Sequence, residues 1–493
     1  MGIFANPLTD LLEYEDFSRD FLKGTDPVGM TGCIDSEKVH FMSTFLGEKK
    51  VQLVVTYNEQ RAREIEEDYK LFCSQVYVIP PRDLIFFSAD LQGNAIIAER
   101  MKAFAALYQN EAKVIITTMD ALMSAAVPFE QLMSHVIKLK EGDELDLEKL
   151  KHDLTVMGYE RVGRVEEPGQ FTVHGGIADV YPLTMEVPVR IELWGDEIDT
   201  IRCFEPQSQR SMDQIECVSV FPAAEVIADD TARRRAVGMI QNELESQLAV
   251  FKKVKEPDKA KRLREETNRI LEALGEDVVL EAPDSYISYF YPRTVQLSEY
   301  FDEKNTLVFL DEPMRLKERG DGVQAEFEES MKNRLEQGFL LPGQTALLTP
   351  AKHVLAAFER GQVAALSSLD SRLADFTVVN SYAVNVQNMN TYREGFELLI
   401  KDLTHWKKEK YRVVLLCPSR TRANRIVNQL IEYDLLAYYS EDEDKKINPG
   451  EIMVTYGNLH RGFLYPMLKF AVITESDIFG VKKKKKEKKS HYQ

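Results

Sequence analysis

One short segment of the chain has the spacing of a nucleotide-binding loop. The residues GMTGCIDS follow the phosphate-loop template G-x-x-x-x-G-K-[ST] at Gly29 and Ser36, with Gly32 at a variable position. Such a loop cradles phosphates with backbone N–H groups, neutralises them with the lysine and binds magnesium through the hydroxyl. Here the second template glycine is Ile34 and the template lysine is Asp35. The segment therefore indicates a degenerate loop.

Both departures from the template oppose phosphate binding. Asp35 repels the charge that a lysine would attract, an effect of several kcal/mol in a partly buried site. The β-branched Ile34 disfavours the backbone angles that glycine permits and keeps phosphates at a distance. We expect no ATP or magnesium binding and no catalytic residue in this chain. An ordinary helix-capping turn without nucleotide-binding ancestry would have the same consequence.

A second motif also indicates descent from a nucleotide-binding protein. The segment LVFLDE is similar to a Walker B strand, with Asp311 and Glu312 where an ATPase keeps its magnesium-binding and water-positioning acids. Any strand that ends in two acids has this appearance, so the motif is informative only because it follows the phosphate-loop-like segment along the chain. Together the two motifs indicate a nucleotide-binding ancestor that lost the ability.

The elements around these motifs change character along the chain. Apolar β-branched runs alternate with amphipathic helices up to residue 118, as in a parallel sheet covered by helices. Period-two strands with Gly and Pro breaks follow, and then mixed α/β segments return, with a helix break at Pro257. The predicted fold is α/β and multidomain: a phosphate-loop NTPase-like domain is split by a small β-rich insert, and a separate small α/β domain follows. The predicted units are 1–128, 129–217, 218–375, 376–480 and a lysine-rich linker or tail at 481–493.

Composition excludes several classes of protein. The net charge of −18 opposes binding to nucleic acid, which depends on phosphate neutralisation. No apolar run of membrane-spanning length and no secretory signal is present, so we expect a cytosolic protein that does not contact membranes. The five cysteines and eight histidines are scattered without metal-binding spacing, so no metal site is expected. The lysine run 482–489 is typical of a solvated linker, although a nucleic-acid or nuclear-localisation role stays open.

One strand of the β-rich insert combines residue types that suit a protein interface. In VPVRIELWGDE, alternation places Val189, Ile191 and Leu193 on one face of the strand. The other face then carries Arg190, Glu192 and Trp194, a set that includes a charge pair and a large aromatic anchor. A solvated outer face with a local Arg–Glu contact is the alternative from the strand alone.

These residues resemble a known family. GMTGCIDS is similar to the GVTGSGKT loop of the excision-repair protein UvrB, and residues 158–211 resemble the second domain that UvrB shares with the bacterial transcription-repair coupling factors. The phrases VEEPGQF and QSQRS, the degenerate loop and the segment GNLHRGFLYPMLKFAVITESDIFG favour the coupling-factor family. The resemblance covers essentially the whole chain, as the N-terminal portion of such a protein.

The resemblance implies a non-catalytic module that recruits the repair protein UvrA through its β-rich domain. RNA polymerase and DNA would be contacted by a C-terminal part that is missing here, which would also carry an ATP- and magnesium-dependent DNA translocase. An intramolecular contact that restrains this motor is also consistent with the family, and the role of the third domain stays open. The alternatives are a UvrB-like ATP-dependent helicase, a nuclease or a DNA-binding repair protein.

The resemblance also suggests which residues contact UvrA. The family's R-x-E pair matches Arg190 and Glu192, next to Trp194, and substitution of either member by alanine should weaken binding without unfolding the domain. A further family arginine falls at Arg161 or, alternatively, Arg164. His174 replaces another, and a histidine cannot form the bidentate fork of an arginine. Either the contact is weaker in this protein or its partner has changed to suit.

Overall fold

The computed structural model of the chain describes residues 6–48, 50–82, 92–275, 283–370, 376–392, 395–442 and 444–479. The predicted lysine-rich linker or tail at 481–493 lies outside the described residues. Within them, the prediction of a mixed α/β, multidomain chain is confirmed, since a parallel sheet and several separate sheets are present.

The largest element is a seven-stranded, all-parallel sheet. Its central strands are buried on both faces, which explains their continuous apolar runs. Chain segments on both sides of the β-rich insert contribute to it. In spatial order the strands are Asn380–Ala383, Val28–Thr31, Val363–Ser367, Thr306–Asp311, Val51–Thr56, Val114–Thr118 and Val76–Ile79.

Helices cover the two faces of this sheet and extend beyond it. The helix Pro313–Glu336 has proline as its first residue, a position where proline is favoured. The expected interruption at Pro257 is present, and a new helix begins there. The α-helices of this part of the chain are Leu12–Lys23, Asp35–Ser43, Glu59–Tyr69, Gln92–Tyr108, Met119–Met123, Phe129–Met133, Asp230–Lys253, Pro257–Gly275, Ile287–Phe290, Pro313–Glu336 and Ala351–Ala356.

The β-rich unit is a six-stranded sheet with one helix, Leu147–Val156, packed on its inner face. A separate two-stranded ladder pairs Ile137–Lys140 with Cys217–Val220, so the latter strand runs through the predicted boundary at residue 217. In spatial order the six strands are Ser211–Ile215, Glu197–Phe204, Val189–Trp194, Ile177–Val180, Gln170–His174 and Glu160–Arg161.

The last unit has its own six-stranded sheet, but it does not have a core of its own on both faces. Helices Phe396–Lys408 and Arg420–Glu432 cover one face. Side chains of the other face, including Leu416, Phe463 and Phe470, belong to the same apolar cluster as one face of the seven-stranded sheet. Strand Asn380–Ala383 joins the first sheet although it lies beyond the predicted boundary at 375. In spatial order the strands are Gln387–Asn388, Phe463–Tyr465, Phe470–Thr474, Arg412–Cys417, Ile452–Tyr456 and Ala437–Tyr439.

Candidate functional site

The loop at residues 29–36 connects the strand Val28–Thr31 to the helix Asp35–Ser43 at the carboxyl edge of the parallel sheet. The backbone N–H of Cys33 donates to the carbonyl of Ser367 at 3.2 Å. The N–H of Ile34 donates to the Glu37 carboxylate at 3.1 Å. Two donors that a phosphate-binding loop would direct at its ligand are therefore satisfied within the protein.

Gly32 is required by close packing of the chain. Its φ is +84°, and a Cβ at this position would lie 1.9 Å from the carbonyl oxygen of Val384. The segment that follows strand Asn380–Ala383 thus approaches the loop at the distance that only a glycine allows. This glycine needs no bound phosphate to explain it.

A lysine does contact the two motif acids, but it comes from a different position than the template predicts. The ammonium of Lys38 lies 2.7 Å from Asp311 Oδ1 and 2.6 Å from Glu312 Oε1. Arg61 Nε is 3.4 Å from Asp311 Oδ2, to which the hydroxyl of Thr56 donates at 2.8 Å. The side chains of Lys38 and Asp311 are only 4% and 3% exposed. The acids of the Walker B-like strand are therefore neutralised by the chain itself.

The electrostatics of this group favour its charged state. Burial alone would lower the pKa of Lys38, but the charges of Asp311 and Glu312 raise it above its usual value. Burial would raise the pKa of Asp311, yet Lys38 and Arg61 hold it below its usual value. Both groups remain ionised around neutral pH, which is the condition for a stable buried ion pair.

The last unit packs directly on the 29–36 loop. The hydroxyl of Ser36, at the template's magnesium-binding position, accepts the backbone N–H of Arg461 at 2.9 Å. The carboxylate of Asp35 lies 3.5 Å from Arg461 Nη1 and is 45% exposed. The backbone N–H of the preceding residue, His460, donates to the Asp68 carboxylate at 2.6 Å. Asp35 therefore faces the last unit rather than the motif acids.

A second buried carboxylate, that of Glu37, lies at the same contact. Tyr465 of the last unit donates its hydroxyl to Glu37 at 2.6 Å, and the same hydroxyl lies 3.2 Å from Nδ1 of His40. Burial raises the pKa of Glu37 to about 7. The loop helix thus supplies polar groups to the contact between units, which is a structural role.

The six-stranded sheet presents its other face away from the helix Leu147–Val156. We call this the outer face, and directly opposed residues on antiparallel strands share it. Two cross-strand rows form it. The first row is Thr172, Asp179, Arg190, Arg202 and Gln214, and the second is His174, Ile177, Glu192 and Thr200.

The alternation predicted for strand Val189–Trp194 is present. Val189 and Ile191 are buried in the inner core, while Arg190, Glu192 and Trp194 lie on the outer face. Trp194 is 84% exposed at the end of its hairpin, and the neighbouring hairpin brings up Ile177, which is 41% exposed. The hydroxyl of Thr200 donates to Glu192 at 3.3 Å. His174, also exposed, lies opposite Ile177. This end of the face combines apolar and acidic groups.

Arg190 makes more contacts within its own domain than the sequence suggests. Its guanidinium forms two parallel hydrogen bonds of 2.8 Å with Asp179 and lies 4.7 Å from the ring centroid of Phe204. The side chain is 22% exposed and that of Asp179 only 8%. Removing Arg190 would leave a shielded carboxylate without its partner, so the expectation that an Arg190→Ala chain folds unperturbed does not fit this geometry.

The two alternative arginines lie elsewhere. Arg161 is exposed on the edge strand, in register with the inward-facing Phe171 rather than with the outer rows. Arg164 hydrogen-bonds the backbone carbonyl of Gln207 and lies 3.3 Å from Glu166. The structure therefore places His174, Arg190, Glu192 and Trp194 on the outer face and leaves Arg161 outside its rows. The segment of Arg164 reaches Arg190 only indirectly, through Gln209, which donates to the carbonyl of Val165 at 3.1 Å and lies 3.4 Å from Arg190 Nη2.

Several participants were missed from sequence. The template places its lysine at position 35 and therefore does not point to Lys38, although the segment DSEKV contains it. Asp179 and Ile177 could have been suggested by their period-two alternation in GGIADV, but their register against Arg190 and Glu192 could not. Nothing in the sequence signals the contact of Arg461 with Ser36.

The part of the chain that the structure describes gives no sign of a metal site or of a membrane-spanning helix. Within it, no group of three or more His, Cys, Asp and Glu side chains is arranged to hold a metal ion. Its helices also include none that is long and apolar enough to cross a membrane.

Comparison with known proteins agrees with this geometry. Residues 137–225 match the family model of the UvrB interaction domain, which includes the six-stranded sheet and its outer face. Residues 405–478 match the model of the MFD D3 domain, which covers most of the last unit. The chain is therefore a protein that joins a UvrB interaction domain to a D3 domain.

The relatives define the family more closely. The chain is 28% identical over 490 residues to the transcription-repair-coupling factor of Bacillus subtilis and 28% identical over 494 residues to that of Staphylococcus epidermidis. Identity to the Staphylococcus aureus factor is 25% over 509 residues. These matches cover 98–99% of this chain but 41% of each relative. The chain is therefore similar over nearly its whole length to transcription-repair-coupling factors, and it spans about two fifths of the length of these relatives.

Proposed function

We propose that this chain is a non-catalytic docking module that recruits UvrA during transcription-coupled repair. The observation that carries the proposal is the outer face of the UvrB interaction domain, where Trp194 and Ile177 are exposed next to Glu192 and His174. Exposed aromatic anchors beside charged groups are typical of protein interfaces. For the whole protein we propose an ATP-dependent DNA translocase that also contacts RNA polymerase and DNA. We further propose that its motor is restrained in cis by contact with this module.

The 29–36 loop is, in this proposal, a degenerate phosphate loop that binds neither ATP nor magnesium. The residues do not fit the ligand. Lys38 is held by Asp311 and Glu312, Ser36 accepts a backbone N–H, and the Ile34 N–H is bonded to Glu37. A nucleotide would have to break these contacts before it gained any of its own. We therefore assign no step of any reaction to this loop.

Nucleotide binding can be measured directly. Titration of the 493-residue chain with a fluorescent ATP analogue and magnesium should show no saturable signal up to millimolar concentration, because the groups that would bind phosphate are engaged internally. Equilibrium dialysis with labelled ATP provides a check that is free of fluorophore effects. Saturable binding, or ATP turnover by the purified chain, would contradict the proposal.

Docking is tested by calorimetric titration of the chain with purified UvrA. We expect saturable binding, and a loss of about 1–3 kcal/mol for Glu192→Ala, because a charged contact then loses one side. Glu148→Ala is the matched control, since Glu148 is an exposed acid on the helix that covers the opposite face of the same sheet. The proposal fails if wild-type chain does not bind, and this face is wrong if both variants bind alike.

A further inference from the structure

Two arginines face each other directly across neighbouring strands of the outer face. Arg190 on strand Val189–Trp194 is the cross-strand partner of Arg202 on strand Glu197–Phe204. Guanidinium groups stay charged at any physiological pH, and like charges directly opposite one another destabilise a sheet. The arrangement therefore calls for two compensating acids, one for each arginine.

Only one of the two arginines is compensated. Arg190 has Asp179 as its bidentate partner. Arg202 makes no hydrogen bond or ion pair with any residue that the structure describes, and its Nε is shielded from solvent without an acceptor. A shielded N–H without a partner is unfavourable, and this one belongs to a charged group.

The neighbouring polar groups of the outer face make contacts with residues other than Arg202. Its neighbour on the other side, Gln214, donates its amide to Glu141 at 2.8 Å. Glu192, two positions from Arg190 along the same face, accepts from Thr200. Of the two arginines that face each other in the first row, only Arg190 therefore binds an acid within the described chain.

We propose that Arg202 binds an aspartate or glutamate side chain of the protein that docks on the outer face. This proposal rests on the proposed function, since it names a contact within the same docking surface. The planar fork of Arg202 can hold both oxygens of one carboxylate, which would satisfy the shielded Nε and remove the imbalance between the two strands. A carboxylate fits better than a nucleic-acid phosphate, because the chain as a whole carries a net charge of −18 and repels polyanions.

The test is the affinity of the chain for purified UvrA in calorimetric titrations. Arg202→Gln should weaken binding by about tenfold to a hundredfold, since a charge-assisted pair is lost. Arg202→Lys should recover only part of the loss, because an ammonium cannot form a fork. Arg269→Gln, on the exposed helix Pro257–Gly275, removes the same charge outside the domain and should bind as wild type does.

A stability measurement separates docking from a structural role. In the free chain, Arg202→Gln should leave the urea midpoint unchanged or raise it, because it relieves an uncompensated charge. If wild type binds UvrA and Arg202→Gln binds equally well, the inference is overturned while the proposed function stands. A lower urea midpoint for Arg202→Gln than for wild type would also overturn the inference. So would an Arg202→Gln variant that binds UvrA normally but binds short duplex DNA less well than wild type does. Absence of wild-type binding to UvrA would overturn the proposed function and this inference together.

Discussion

The Lys38→Met variant should lose about 3–5 kcal/mol of unfolding free energy, the largest effect that we expect from any single substitution near the 29–36 loop. Lys38 is the contact that neutralises both Asp311 and Glu312, at 2.7 Å and 2.6 Å. Methionine fills a similar volume without the charge, so the variant leaves two acids facing an apolar side chain. Arg61 compensates only Asp311, at 3.4 Å. Urea unfolding followed by circular dichroism gives the change.

Two further variants identify the cause of this loss. Lys261→Met removes a lysine whose partner, Glu265, lies one helical turn away with both side chains more than 60% exposed, and it should cost less than about 0.5 kcal/mol. In the double variant Lys38→Met/Glu312→Gln, one uncompensated acid becomes neutral while its side-chain oxygen can still accept the Ser368 N–H. We expect this variant to regain part of the lost stability. A Lys38→Met chain as stable as wild type would mean that the acids do not need the internal cation.

The buried contacts of Lys38 change the interpretation of the 29–36 loop. The sequence predicts no nucleotide binding because of the acid at position 35, whereas in the structure Asp35 is partly exposed and contacts Arg461. The cation is present after all, one helical turn further along at Lys38, and it is bound by the acids that a magnesium ion would need. An acid at position 35 and an internal cation at Asp311 and Glu312 would both oppose nucleotide binding, but only the internal cation predicts the large loss of stability in Lys38→Met.

Local periodicity explains which features could be predicted. Burial of Val189 and Ile191 with exposure of Trp194 follows from alternation along one strand, which depends only on neighbouring residues. The break at Pro257 is equally local. The pairing of Arg190 with Asp179 depends instead on strand register, which a single sequence does not fix.

Contacts between distant segments could not be predicted at all. Ser36 and Arg461 are separated by 425 positions, and the apolar cluster that joins the first sheet to Phe463 and Phe470 spans a similar separation. Sequence patterns indicated that the last unit was a separate domain because its strands and helices are locally complete. They could not show that one face of its sheet is buried against the first unit, since both partners have ordinary buried-strand composition.

Trp194→Ala should weaken UvrA binding by about 2–4 kcal/mol, or roughly thirty- to a thousandfold, without changing the urea midpoint. The side chain is 84% exposed at a hairpin end, so its truncation removes little from the folded core. A tryptophan presents a large rigid surface at low entropic cost, and Ile177 on the adjacent hairpin extends the apolar area. Leu436→Ala is the control, because Leu436 is 74% exposed and lies in the last unit, away from the outer face.

The tryptophans themselves allow a second measurement of the same contact. Of the two tryptophans in the chain, Trp406 is only 7% exposed and Trp194 is 84% exposed. A polar quencher such as acrylamide should therefore act almost entirely on Trp194. Docking on the outer face would shield Trp194, and quenching should then fall as UvrA is added, after subtraction of the signal from UvrA alone. Equal affinity of Trp194→Ala and wild type, together with unchanged quenching on binding, would place the UvrA contact on another surface of the chain.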